Sequence, residues 1–213
     1  MSKKKEKPRL PKVNQQIPLA RVRPIKFTGP RYHLERAQEY PIIGCWIMAD
    51  WKESGITPVI IAREQAPDKV LFANYLVDLY CLGIKDVFTK TDISRKAFER
   101  SLSAMCNDVP KECTIEFAHE LVYGALEFAE KYGFKPPPDF TKELADHVLD
   151  APDAHPRKGN INFGKKGKPI FVAGPYDDER KINQVINTLM RTAGEGNFDY
   201  VIGMGDADFF GEE

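Results

Sequence analysis

Five side chains in this sequence have the chemistry of a reaction centre and fall on elements able to bring them together. They are Asp78, Cys81, Lys85, Asp86 and His119. A cysteine attacks as its thiolate, so it needs a neighbouring base, normally an imidazole held in place by a third group. Cys81 at the end of a strand and His119 on a later helix form that pair if the helix crosses the hairpin, with Tyr123 one turn further along. The carboxylates Asp78 and Asp86, joined by Asp177, offer a second chemistry: a cluster that holds a divalent cation for hydrolysis. The competing reading is structural, because Cys81 falls on a strand face that is otherwise wholly apolar, where thiols are packing groups.

The elements that carry these residues are readable. Val59 to Arg63 is β-branched and apolar, Gln65 to Asp68 supplies turn residues, and Val70 to Leu82 alternates as a long strand. Its odd positions (Leu71, Ala73, Tyr75, Val77, Leu79, Cys81) are apolar, while Asn74 and Asp78 share the even face. Such a strand packs helices on one side and faces a cleft or a partner on the other. Gly83 ends it. Helices are expected from Ile93 to Met105, from Thr114 to a stop at Gly133, over Thr141 to Leu149, and from Asp177 or Asp178 to Arg191. Short strands are expected at 169–173 and 198–202. Pro41 to Trp51 is apolar on every side; Ile42, Trp46 and Ala49 with Ile43 and Ile47 fit helical spacing, so a helix is expected there.

A chain of 213 residues with 42% hydrophobic and 29% charged content suits one sizeable folded domain. No run is apolar enough to span a bilayer and no secretory leader is evident, so a cytoplasmic protein with no membrane association is expected. The four cysteines form no Cys-x-x-Cys knuckle and no histidine pair has metal-ligand spacing; no metal site is indicated, and the sequence names no cofactor either way. Cys106 and Cys113 bracket a short loop and would pair only under oxidation.

The formal charge of zero hides an asymmetry. Residues 1–26 carry nine cations (Lys3, Lys4, Lys5, Lys7, Arg9, Lys12, Arg21, Arg23 and Lys26) against the single acid Glu6, so the remaining chain is acidic by eight charges. Five prolines punctuate residues 1–30. The expected organisation is a basic flexible arm over 1–31, one α+β domain over 32–204, and an acidic tail over 205–213. A second basic run, Arg157, Lys158, Lys165, Lys166 and Lys168, contains an apparent phosphate loop at Gly159 to Lys165. That match fails, since Lys166 replaces the magnesium-binding hydroxyl and no helix follows. The Asp206-Ala207-Asp208 run lacks the distal Glu of a calcium loop.

Three phrases, Tyr75 to Asp86, Phe117 to Ala125 and Gly167 to Asp178, resemble an uncharacterised bacterial protein family over roughly residues 40–202. The resemblance implies a self-contained domain and supplies no activity. The fold expected is therefore α+β: a small, mostly antiparallel sheet around a 58–82 β-hairpin, packed by helices on one face. The leading functional expectation is a nucleic-acid- or ribonucleoprotein-associated binding protein using the basic arm and the 157–168 loop. The alternatives are a small intracellular hydrolase or nuclease built on Asp78, Cys81, Lys85 and Asp86 with His119, and a protein–protein adaptor.

Overall fold

The computed structural model describes residues 29–202. The arm cations from Lys3 to Lys26 and the acidic tail 205–213 lie outside the described residues. Helix α1 (Pro30–Leu34) and a 3-10 turn lead into strand β1 (Ile42–Met48) and the short helix α2 (Trp51–Ser54). Strands β2 (Ile56–Ala66), β3 (Lys69–Asp78) and β4 (Gly83–Ser94) follow as a meander. Helix α3 (Arg95–Met105) returns the chain to strand β5 (Pro110–Cys113), and α4 (Ile115–Lys131) is the long central helix. The remainder comprises α5 (Asp139–Lys142), α6 (Ala145–Val148), β6 (Ile170–Val172), α7 (Glu179–Thr192) and β7 (Asp199–Val201).

The fold is α+β, and the main sheet runs β4-β3-β2-β1-β5 with every pair antiparallel. The hairpin expected over 58–82 lies at its centre as β2 and β3, which pair from Ile56↔Asp78 to Ala66↔Lys69; its second strand ends at Asp78, before Cys81, and Gly83 starts β4. The alternation of β3 sorts its side chains. Leu71, Ala73, Tyr75 and Val77 join Val59 and Ile61 beneath Ala118, Leu121, Val122 and Ala125 of α4. Val70 and Phe72 face the other way, where α3 covers part of the sheet with Phe98 and Leu102. That second layer is short, and the sheet beyond it, with Ile56, Leu76 and Asp78, forms one wall of a cleft. The even face of β3 thus has the mixed role its polar residues foretold.

The helix expected over Pro41 to Trp51 is instead strand β1. Its apolar groups point both ways, Cys45 and Ile47 into the α4 side, Met48 and Trp46 into the α3 side. A strand between β2 and β5 buries both faces, which outweighs the helical spacing of the same residues. Gly44 contributes to this arrangement: the Trp46 indole folds across the position a side chain there would take.

The helix caps follow the sequence closely. Ser94, Thr114 and Asp178 accept the backbone N–H groups of Ala97, Phe117 and Lys181, respectively. At the end of α4, Phe134 N donates to Ala129 O at 3.1 Å and Gly133 N to Glu130 O at 2.9 Å, so the helix stops at the expected glycine.

Helix α7 belongs to a separate small unit. It packs Val185 and Leu189 on Phe171 of β6, beside a parallel β6–β7 pair, and Cys81 completes this third core. Among the described residues, no helix is long and apolar enough to cross a membrane.

Gly83 sets the start of β4 directly against α4. It has φ +72°, and a β-carbon there would sit 2.9 Å from the Ala129 methyl and 3.0 Å from the Ala125 carbonyl oxygen. Both the backbone conformation and the contact with α4 exclude a side chain. Gly83→Ala is expected to destabilise the fold by about 1–3 kcal/mol. Urea denaturation checks this; an unchanged midpoint would mean that α4 does not press on the turn.

Candidate functional site

The sequence-predicted corner divides into two places. Asp78, Lys85 and Asp86 line one cleft of about 640 Å³ together with Asp177 and Lys181. Cys81 lies behind it, fully buried among Phe171, Val185 and Leu189. His119 lies in a different network, bonded to the segment after α6. Cys81 and His119 therefore do not form a pair.

Asp78 stands at the end of β3, and its carboxylate gathers the turn that follows. Oδ1 accepts from Tyr80 N at 2.8 Å and Cys81 N at 3.2 Å, and Oδ2 accepts from Leu82 N at 3.1 Å. Burial raises the acid's pKa above the ordinary carboxylate value; the three N–H groups and the Lys85 charge oppose that shift without cancelling it. A carboxylate with both oxygens committed to backbone amides shapes a turn and has little left for catalysis. The turn carbonyls are used as well: Leu79 O accepts from Gly164 N and Tyr80 O from Ile170 N, which ties the C-terminal unit to the sheet.

The strand after this turn is irregular. Leu76 is opposite Asp86 and Val77 is opposite Ile84, so Lys85 is an extra residue in β4. Neighbouring strand residues normally point to opposite faces; the bulge turns Lys85 and Asp86 to the same cleft. Lys85 Nζ is 3.9 Å from Asp177 Oδ2, beyond hydrogen-bond reach, while Lys181 Nζ holds Asp177 Oδ1 at 2.6 Å. Burial pushes the Asp177 carboxyl up, but the bonds from Lys181 and Gly174 N outweigh it and hold the pKa below normal.

Thiol chemistry has little support in this environment. Burial raises the pKa of every cysteine: Cys106 to about 11, Cys45 and Cys113 each to about 12, and Cys81 further still. Cys113 is paired in register with Cys45 across β1 and β5, not with Cys106, and all four are free thiols. Among the described residues no three metal-ligating side chains come together, so the Asp78, Asp86 and Asp177 carboxylates do not form a cation cluster.

His119 belongs to a buried polar network that sequence spacing did not reveal. Its Nε2 lies 2.8 Å from Ala151 O, which makes that nitrogen the donor; burial lowers its pKa and keeps the ring neutral. Its ring lies against Tyr123 and His155. His155 Nε2 approaches Asp150 Oδ2 at 2.8 Å, and Arg63 Nη2 donates to Asp150 Oδ1 at 2.6 Å. The buried Arg63 guanidinium also donates to Val148 O and Tyr40 O. The ladder thus joins the middle of β2 to the segment after α6, over 87 residues of sequence.

A second cleft, of about 470 Å³, opens where α2, β5, the start of α4 and the loop at 158–160 meet. Trp51, Phe117 and Ile47 are among its apolar lining, with Lys52, Lys111 and Lys158 and the carboxylates Glu116 and Glu120 around them. None of these three lysines has an ion-pair partner among the described residues. The other cations of the 157–168 loop do not line this cleft. Arg157 is engaged by Glu127 and lies over the Tyr123 ring, and the Lys168 ammonium donates to Gly196 O. Lys165 and Lys168 close a tight backbone bridge with Lys166 at its tip. The sequence marked Lys158; Lys52 and Lys111 escaped notice because they are single charges on separate elements.

The Asp150 network fixes the direction of a pH response. Burial acts to raise the Asp150 pKa, but the His155 and Arg63 bonds outweigh it, leaving the folded-state pKa below the unfolded value. Its stabilisation is present above the unfolded pKa of about 3.9 and disappears as pH falls through the lower folded value. Asp150→Asn is expected to destabilise the protein by about 1–3 kcal/mol at pH 7, with a smaller gap from wild type at about pH 3. Urea midpoints at both pH values test this; an equal gap at both would assign the loss to packing. No protein-family model, curated protein or solved structure matches this chain.

Proposed function

We propose that this is a non-catalytic protein that binds single-stranded nucleic acid, with a base against the Trp51–Phe117 floor and phosphates on Lys52, Lys111 and Lys158. The observation that carries this reading is an aromatic-lined cleft whose three lysines are in no ion pair among the described residues and outnumber its two carboxylates, Glu116 and Glu120. A nucleic-acid strand presents this combination: bases that stack on aromatic rings and a phosphate chain that exchanges its counterions for lysines. The strongly basic N-terminal sequence adds charge of the same sign.

Catalytic readings have weaker support. The Cys81 thiol is buried with a raised pKa, the Asp78 oxygens serve backbone amides, and the His119 donor is committed to Ala151. The adaptor reading has the exposed Val172, Tyr176, Tyr200 and Val201 in its favour, but no feature there selects one partner.

The test is a salt titration of full-length protein with a single-stranded oligonucleotide. Changing Lys52, Lys111 and Lys158 to Gln is expected to weaken binding and to reduce the slope of log K against log salt by about 2, at about 0.7 per lost phosphate contact. A variant lacking residues 1–26, run beside it, separates the arm's share. Unchanged affinity and slope in the triple variant would remove the cleft from the account.

A further inference from the structure

The cleft at the Lys85 bulge has a chemistry of its own, independent of the nucleic-acid reading. A ligand site is typically concave and mostly apolar with a few convergent polar groups, and this cleft of about 640 Å³ is of that kind. Ile56, Leu76, Tyr80, Pro175 and Tyr176 supply apolar and aromatic surface. Two opposite charges, adjacent in sequence, project into it. Lys85 has only 16% of its side chain exposed and, among the described residues, no hydrogen-bond acceptor for its ammonium; its ion-pair partner, Asp177 Oδ2, is 3.9 Å away. Asp86 is exposed and in no ion pair among the described residues; its one recorded bond accepts the next backbone N–H, from Val87. The two do not pair with each other.

The remaining charges in the cleft are already satisfied. Asp177 is bound by Lys181 and by Gly174 N, and Asp78 by its turn. An added monoanion would leave Asp86 without an ion-pair partner, and an added cation would leave the Lys85 ammonium with only the long 3.9 Å contact to Asp177. A dipolar ligand answers both.

We propose that this cleft binds a free α-amino acid with a large apolar side chain. The ligand carboxylate meets the recessed Lys85 ammonium, the ligand ammonium meets Asp86 at the rim, and the side chain lies on Leu76, Tyr80 and Tyr176. The bulge is what makes the site, because a regular strand would direct Lys85 and Asp86 to opposite faces of the sheet.

The test uses full-length protein and three probes at about pH 6, where the amines of phenylalanine and of its amide are protonated. The probes are L-phenylalanine, 3-phenylpropionate, which lacks the ammonium, and phenylalanine amide, which lacks the carboxylate. Chemical-shift titration is expected to report saturable binding of phenylalanine at residues of the cleft, with each truncated probe at least about tenfold weaker. Lys85→Met and Asp86→Asn are each expected to weaken phenylalanine about tenfold, the former removing discrimination against the amide and the latter against phenylpropionate. Asp86 is exposed, so its variant keeps the test decisive if the Lys85 change disturbs the bulge. No shift with about 10 mM phenylalanine, or equal binding of either truncated probe, overturns the proposal.

Discussion

The buried carboxylate of Asp78 is the constraint on which most of the arrangement depends. A carboxylate moved out of water is costly unless hydrogen bonds replace its hydration, and bonds to a charged acceptor contribute about 1.5–3 kcal/mol each. Three consecutive amide donors supply that replacement and in doing so fix the Tyr80–Leu82 turn. Desolvation still prevails, since the acid's pKa remains above normal. What the turn provides in return is position. It inserts Cys81 into the C-terminal core, presents two carbonyls to residues 164 and 170, and starts β4 at Gly83 against α4. The bulge at Lys85 follows two residues later, so the cleft inherits its geometry from the same turn.

The fold was legible where a local pattern decided it. The alternation of β3, the turn at Pro67 and Asp68, and the capping residues Ser94, Thr114 and Asp178 each appear as read. The β1 segment was not legible, because a run apolar on all sides has no period to read and its outcome depends on strands β2 and β5 elsewhere in the chain. The sites divide in the same way. Lys85 and Asp86 were visible as charges beside a strand break, but the register shift that turns them to one side is a property of the β3–β4 pairing. Arg63, Asp150 and His155 gave no signal at all, being brought together by tertiary folding across 87 residues.

The two clefts share little in chemistry or location. One is aromatic with lysines in excess of carboxylates, at the junction of α2, β5 and α4; the other sets Lys85 beside Asp86, between the sheet and the β6–α7–β7 unit. Helix α4 contributes to one of them alone: Phe117 and Glu120 near its start line the first, whereas the walls of the second come from α2, the sheet, and the β6–α7 segment.

The central claim is that Asp78 holds the turn to which the C-terminal unit is tied. Amide hydrogen exchange in Asp78→Asn beside the wild type tests it directly. The account predicts a concerted loss of protection at Tyr80, Cys81, Leu82, Gly164 and Ile170, with the central β2–β3 amides near Ile60 and Ala73 keeping theirs. Loss confined to the three turn amides, with Gly164 and Ile170 as protected as before, would show that the C-terminal unit is held by its own packing and would contradict the account.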